Sequence, residues 1–210
     1  MASELAPGSR NQAVGWIFEY QAPMRPIRRV IVVGASAGGV KALCELVKAL
    51  PAPSPVPMYI VLHSGPDSLL DEILTACDSH NVRFVEDGER IKKGIYVARP
   101  RRHLVVNSET LGVSELSAPK REYWIPSIDE LFESTARSQG ALSIGVILSG
   151  TMHDGVAGLL AIRNAGGTTI AQEPEEAQCP DMPIAVLEAR TVDYCLPIKN
   201  MAAKLSDLSV

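Results

Sequence analysis

Several short segments of this chain are apolar or β-branched at almost every position: VIVV at Val30–Val33, MYIVL at Met58–Leu62, IGVIL at Ile144–Leu148, TTIA at Thr168–Ala171 and VDYCL at Val192–Leu196. A strand with one face in water alternates apolar and polar side chains. Strands without that alternation are covered on both faces, which is the habit of a parallel sheet. Helical patterns lie between the runs. Val40, Leu43, Leu46, Val47 and Leu50 recur at three- and four-residue spacing and stop at Pro51. Ser127 and Glu130 form a capping box ahead of Leu131, Phe132 and Thr135. Leu159, Leu160 and Ile162 run to a Gly166-Gly167 stop, and Asp181 ahead of Pro183 opens what reads as the last major helix.

This strand–helix repetition predicts an α/β fold: a doubly wound, mostly parallel sheet flanked by helices. From Val82 to Leu116 the rhythm changes to short extended runs separated by the turn signals EDGER, RPRR and NSET, which predicts a β-hairpin excursion beside the sheet. Residues 1–29 are expected to be an N-terminal arm, polar and proline-bearing with one aromatic patch at Trp16–Tyr20. The folded domain is expected over 30–205, with a short tail over 206–210.

At 210 residues, with 46% hydrophobic and 21% charged residues, the chain suits one globular domain with a sizeable core. The net charge of −4 lacks the basic excess that a nucleic-acid partner requires. No apolar run is long enough to cross a bilayer and the amino end lacks a secretory layout, so no membrane insertion and a cytoplasmic location are expected. Cys44, Cys77, Cys179 and Cys195 form no C-x-x-C pair; they are expected to be reduced and mostly buried, with no metal site.

The chemistry concentrates at strand ends. Gly34-Ala35-Ser36-Ala37-Gly38 has the G-x-S-x-G form of a nucleophile elbow, after a strand and before a helix. A dinucleotide fingerprint would need glycine where Ser36 stands and an acid after the next strand; His63 is there instead. Nor does a P-loop fit, because Ala42 follows Lys41. Taken alone the glycines need only let a helix pack close to the sheet. His63, however, directly follows the second strand, and Asp154 follows the strand Ile144–Leu148 through a short loop. An isolated Asp154 would be a helix N-cap. Three strands delivering serine, histidine and aspartate to one sheet edge instead point to a Ser36-His63-Asp154 triad. His153 is assigned to the surface, and His80 and His103 have no obvious partner.

These motifs, VVGASAGGVKAL, IVLHSG, EDGERIKKGIYVARPRRHLVV, PSIDELFESTA, GVILSGTMHDGVAGLLAIRNAGG, TIAQEP and DMPIAVLEA, stand in the order seen in chemotaxis receptor glutamate methylesterases. From about Val30 to Leu205 the chain resembles the catalytic domain of that family, the CheB type. The resemblance implies Ser36 as nucleophile, His63 as base and Asp154 as orienting acid, with backbone N–H groups near His63 and Thr151 serving the oxyanion and no metal or organic cofactor. It implies hydrolysis of glutamyl methyl esters, and deamidation of glutamines, on chemoreceptor cytoplasmic helices. The partner is then a methyl-accepting chemoreceptor or related signalling protein. Family members mostly carry a receiver domain ahead of the esterase; with about 29 residues there, a separate regulator is expected. The chain departs from the family pattern at Ala37, Leu62, Arg101 and Ile125. Kept beside the esterase are an esterase or amidase for another protein, and a non-catalytic module that binds a receptor or sensor kinase.

Overall fold

The structure, a computed structural model, describes residues 29–63, 69–77, 82–108, 110–114 and 126–209. The Trp16–Tyr20 patch, His80 and Ile125 lie outside the described residues. In chain order the elements are β1 (Val30–Ala35), α1 (Gly39–Ala49), β2 (Pro57–Leu62), α2 (Leu70–Cys77), β3 (Val82–Phe84), β4 (Gly94–Val97), β5 (His103–Val106), β6 (Leu111–Ser114), α3 (Ile128–Gln139), β7 (Ser143–Ile147), α4 (Val156–Asn164), β8 (Thr168–Gln172), α5 (Asp181–Glu188), β9 (Tyr194–Leu196) and α6 (Ile198–Leu208). A seven-stranded sheet runs β3-β4-β2-β1-β7-β8-β9 with every pairing parallel.

Both faces of the central strands are buried, as their unbroken apolar runs require. Ile31, Val33 and Ala35 of β1, with Met58, Ile60 and Leu62 of β2, pack under Leu43, Leu46 and Val47 of α1, Leu70 and Leu74 of α2, and Met201 and Leu205 of α6. The alternate side chains, Val30, Val32, Tyr59 and Val61, meet Leu131 and Phe132 of α3, Leu159 and Ile162 of α4, and Met182 and Val186 of α5. Each fully buried Val, Leu or Ile is worth about 1.5–3 kcal/mol, so the two layers together hold the sheet between them. β1 and β7 are neighbours from which strand order proceeds outward in opposite directions. A crevice therefore opens beyond their carboxyl ends.

Four expectations are corrected. β3 and β4 belong to the main sheet and pair in parallel, Val82 with Ile95, so the hairpin beside the sheet is confined to β5 and β6. Short runs between turn signals look alike whether they return on each other or join a distant edge. Secondly, α5 is not the last major helix: α6 follows, burying Ile198, Met201 and Leu205, and runs through the stretch expected to begin a tail. Cys44 and Cys77 are joined in a disulfide between α1 and α2, which no sequence spacing announces. Finally, none of the cysteines is deeply buried, and Cys195 is exposed.

α3 and α4 approach most closely at Gly158, where an added Cβ would lie 3.0 Å from the Asp129 Cα and 3.1 Å from its carbonyl oxygen. Those are backbone atoms and cannot turn aside. Gly158→Ala is expected to part the two helices at a cost of about 1–3 kcal/mol, the usual range for overpacking. A thermal melt checks this; a variant that melts with the wild type would show that the helices yield freely.

Candidate active site

Ser36 is the first residue beyond β1. Its N–H donates to the Ser149 carbonyl (3.0 Å), and the Gly39 N–H donates back to the Ser36 carbonyl (2.8 Å), closing a tight turn. Gly38 makes the turn possible: it sits at φ 74°, and a Cβ there would lie 2.6 Å from Ser149 Oγ. Ser149 is the clamp that sequence reading missed. Its hydroxyl donates to the Ala37 carbonyl (2.8 Å) and accepts from the Cys179 N–H (2.9 Å), while its own N–H goes to Gln172 Oε1 (2.8 Å). Ser36 is thus held half-buried at the amino end of α1, where the helix dipole favours negative charge.

His63 is the first residue beyond β2, the neighbour of β1. Ala35 pairs with Leu62, and the His63 N–H donates to the Ala35 carbonyl (3.0 Å). The ladder therefore ends with Ser36 and His63 side by side. It also engages the His63 N–H, one of the groups expected near the oxyanion. The imidazole is 7% exposed, and its Nε2 lies 2.8 Å from Asp154 Oδ2. An ionised carboxylate only accepts, so Nε2 carries a hydrogen, and in the neutral imidazole Nδ1 then has the lone pair.

Asp154 lies in the loop after β7, on the other side of β1. Three adjacent strands, β2-β1-β7, thus supply the histidine, the serine and the acid. Asp154 does not cap its own helix, whose N-cap is Gly155. It caps α3 instead, accepting from the Ile128 N–H (2.7 Å), the Asp129 N–H (3.0 Å) and the Ser127 hydroxyl (3.2 Å). Burial alone would push this carboxyl up; the hydrogen bonds from His63, Ile128 and Asp129 outweigh it and hold Asp154 below the ordinary carboxylate range.

Ser127 caps α3 as the capping box predicts, accepting from the Glu130 N–H (3.4 Å). Its N–H donates to His103 Nδ1 (3.2 Å), which gives His103 the partner it seemed to lack. His153 is exposed, as expected. Met152, half exposed, occupies φ 71°, a strained value for a side chain without special tolerance of it. Thr151 is exposed on the same loop.

A nucleophile elbow, a buried imidazole and a fully hydrogen-bonded acid on one rim suit acyl transfer. The sequence profile of the CheB methylesterase family matches residues 31–205. The chain belongs to that family. A Burkholderia thailandensis relative named protein-glutamate methylesterase/protein-glutamine glutaminase 3 is 35% identical over 186 residues, covering 86% of this chain and 51% of that protein. A Leptospira interrogans relative is 35% identical over 175 residues, 82% of this chain and 90% of its own length. The chain therefore spans about half of the first and nearly all of the second. The crystal structure of the Thermotoga maritima CheB methylesterase catalytic domain matches with a TM-score of 0.81 at 30% identity, covering 86% of this chain and 98% of that one. The mostly parallel α/β architecture is thus the CheB catalytic-domain fold. Among the described residues no helix is long and apolar enough to cross a membrane.

Asp154 sets an acid-side expectation for this CheB-type domain. A carboxyl whose folded pKa lies below its unfolded value contributes stability above about pH 4 and loses it as pH falls through the lower folded value. Urea unfolding at pH 7 and pH 3 is expected to show a smaller loss for Asp154→Asn, whose amide does not titrate, than for the wild type. Equal losses would remove Asp154 from acid destabilisation.

Proposed function

We propose that the chain is a serine esterase that hydrolyses glutamyl methyl esters, and deamidates glutamines, on the cytoplasmic helices of methyl-accepting chemoreceptors. The observation that carries the reading is the 2.8 Å bond from His63 Nε2 to Asp154, on a histidine that follows β2 where Ser36 follows its partner strand β1. In the first half-reaction His63 Nδ1 takes the Ser36 hydroxyl proton as Oγ attacks the ester carbonyl. Asp154 steadies the resulting imidazolium, the tetrahedral oxyanion collapses, and methanol leaves with the proton from His63. Water then repeats the sequence on the acyl-serine and releases the glutamate side chain. With glutamine the leaving group is ammonia and the acyl-serine is the same.

For the oxyanion we assign the Thr151 N–H, because the Gly150 N–H already donates to the Cys179 carbonyl and the His63 N–H to Ala35. One such donor is worth about 3 kcal/mol of barrier. The reading takes a receptor-type signalling protein as substrate.

The serine that touches Asp154 directly is another one. Ser127 Oγ lies 3.2 Å from that acid, which makes Ser127 a rival nucleophile. Ser127 is favoured less because its hydroxyl is engaged with the acid and with the α3 N-terminus, whereas a nucleophile must meet the base.

Methanol release from methylated chemoreceptor cytoplasmic fragments is the test. Ser36→Ala and His63→Ala are expected to fold and to lose about 10³-fold or more of the rate, while Ser127→Ala keeps most of it. Activity surviving in Ser36→Ala but lost in Ser127→Ala would exchange the nucleophiles. A folded wild type that releases no methanol, with Ser36 unlabelled by a phosphonate, would favour a non-catalytic receptor- or kinase-binding module; labelling without release would favour another ester or amide.

A further inference from the structure

The amino ends of α3 and α4 meet just behind His63, and each is capped by an acid from the other side. Asp154, next to the start of α4, takes the first N–H groups of α3. Asp129, in the first turn of α3, returns the contact: its Oδ1 accepts from the Gly158 N–H at 2.6 Å. We propose that Asp129 is a positioning residue that aims Asp154 at His63 by pinning the amino end of α4. The role given to that aim rests on the triad reading; the pinning rests on the hydrogen bonds themselves.

The loop that carries Asp154 needs such a hold. Met152, two residues before the acid, stands at φ 71°, a conformation that surrounding contacts must maintain in a residue other than glycine. Gly155 is the residue next to Asp154, and Gly158 is one turn further along α4. With the Gly158 N–H held by that carboxylate, a slide of the first turn of α4 along α3 would break the bond. A slide of about 1 Å would break the His63–Asp154 bond and misplace the base, which is enough to cost roughly 10²-fold in rate.

The arrangement is unfavourable for Asp129 itself. Burial, opposed by the Gly158 N–H and reinforced by the Asp154 charge, pushes its carboxyl up to about 7. The charged groups that face it are Asp154 and, on its own helix, Glu133; His63 stands behind Asp154, and the stretch of α4 from Val156 to Ile162 has no ionisable side chain. Because the folded value lies above the unfolded one, Asp129 contributes stability at low pH that is lost as pH rises through about 7. A carboxylate kept for stability alone would sit elsewhere; this one is at odds with stability at neutral pH while gripping the loop of the acid.

The test compares Asp129→Asn, Asp129→Ala and the wild type in the intact chain. In methanol release, Asp129→Ala is expected to lower kcat about 10- to 100-fold with KM within about twofold. Asp129→Asn, whose carbonyl still accepts the Gly158 N–H, is expected to recover most of that loss. Thermal melts should show Asp129→Asn gaining on the wild type as pH rises from 5 to 8. A purely structural role predicts instead that both variants melt lower at every pH, with activity falling only as far as the folded fraction. Unchanged kcat in Asp129→Ala, or a loss confined to KM, would overturn the proposal. A readout independent of turnover is the downfield proton NMR signal of His63 Nε2–H, assigned by its absence in His63→Gln. Asp129→Ala should shift or abolish that signal. If the wild type releases no methanol, the functional reading fails while this signal still decides the role of Asp129: an unmoved resonance in folded Asp129→Ala rejects it.

Discussion

A carboxylate withdrawn from water needs donors, and at the junction of α3 and α4 the donors are the main-chain N–H groups that every helix leaves unsatisfied at its amino end. Asp154 fills the end of α3 and Asp129 the end of α4. The two positive helix ends and the two acids thus neutralise one another crosswise. Without that exchange, α3 and α4 would present two like dipole ends to each other at the place where they pack most closely. The close approach at Gly158 and the crosswise caps are two aspects of one contact.

That junction is coupled to the sheet through His63. Residues 36, 63, 127–129 and 154 are distant in sequence and meet only because β2, β1 and β7 are neighbours and α3 folds back behind them. The site is consequently a non-local product of the fold, with no single local segment that holds all of it. Its rigidity comes from below: Ser149 ties the Ser36 turn to the loops after β7 and β8, and the ladder ties His63 to Ala35. Side-chain chemistry is confined to the rim, and the backbone does the holding.

Much of this was legible from residue order. Unbroken apolar runs mark strands covered on both faces, and the register of such strands leaves little choice about which residues reach the carboxyl edge. That is why Ser36, His63 and Asp154 could be put on one rim before any coordinates. The capping box at Ser127 was equally local. What escaped was whatever depends on which distant segment a group meets. Taken alone, Asp154 would read as a cap for the helix it precedes, and it caps another. β3 and β4 looked like a hairpin because short strands give no sign of their partners. The Cys44–Cys77 pairing and the contact between His103 and Ser127 depend on tertiary proximity, to which spacing is blind. Asp129 had a signal that went unused, an acid in the first turn of a helix, but its partner lies on α4.

The donors that hold Asp154 are, apart from His63 and Ser127, peptide N–H groups, and so is the one that holds Asp129. A point mutation replaces side chains and leaves peptide groups in place, proline excepted. Most of the anchoring of the site is therefore out of reach of single substitutions. Ile128 can change its side chain while its N–H still points at the same oxygen, provided the replacement fills the same space. The vulnerable positions are few: the side chains that do the bonding, the glycines whose bareness lets the backbones meet, and any site where proline would remove a donor. A lineage of such domains can drift widely in sequence around a fixed constellation, and a designer can vary the surface around it with the same freedom.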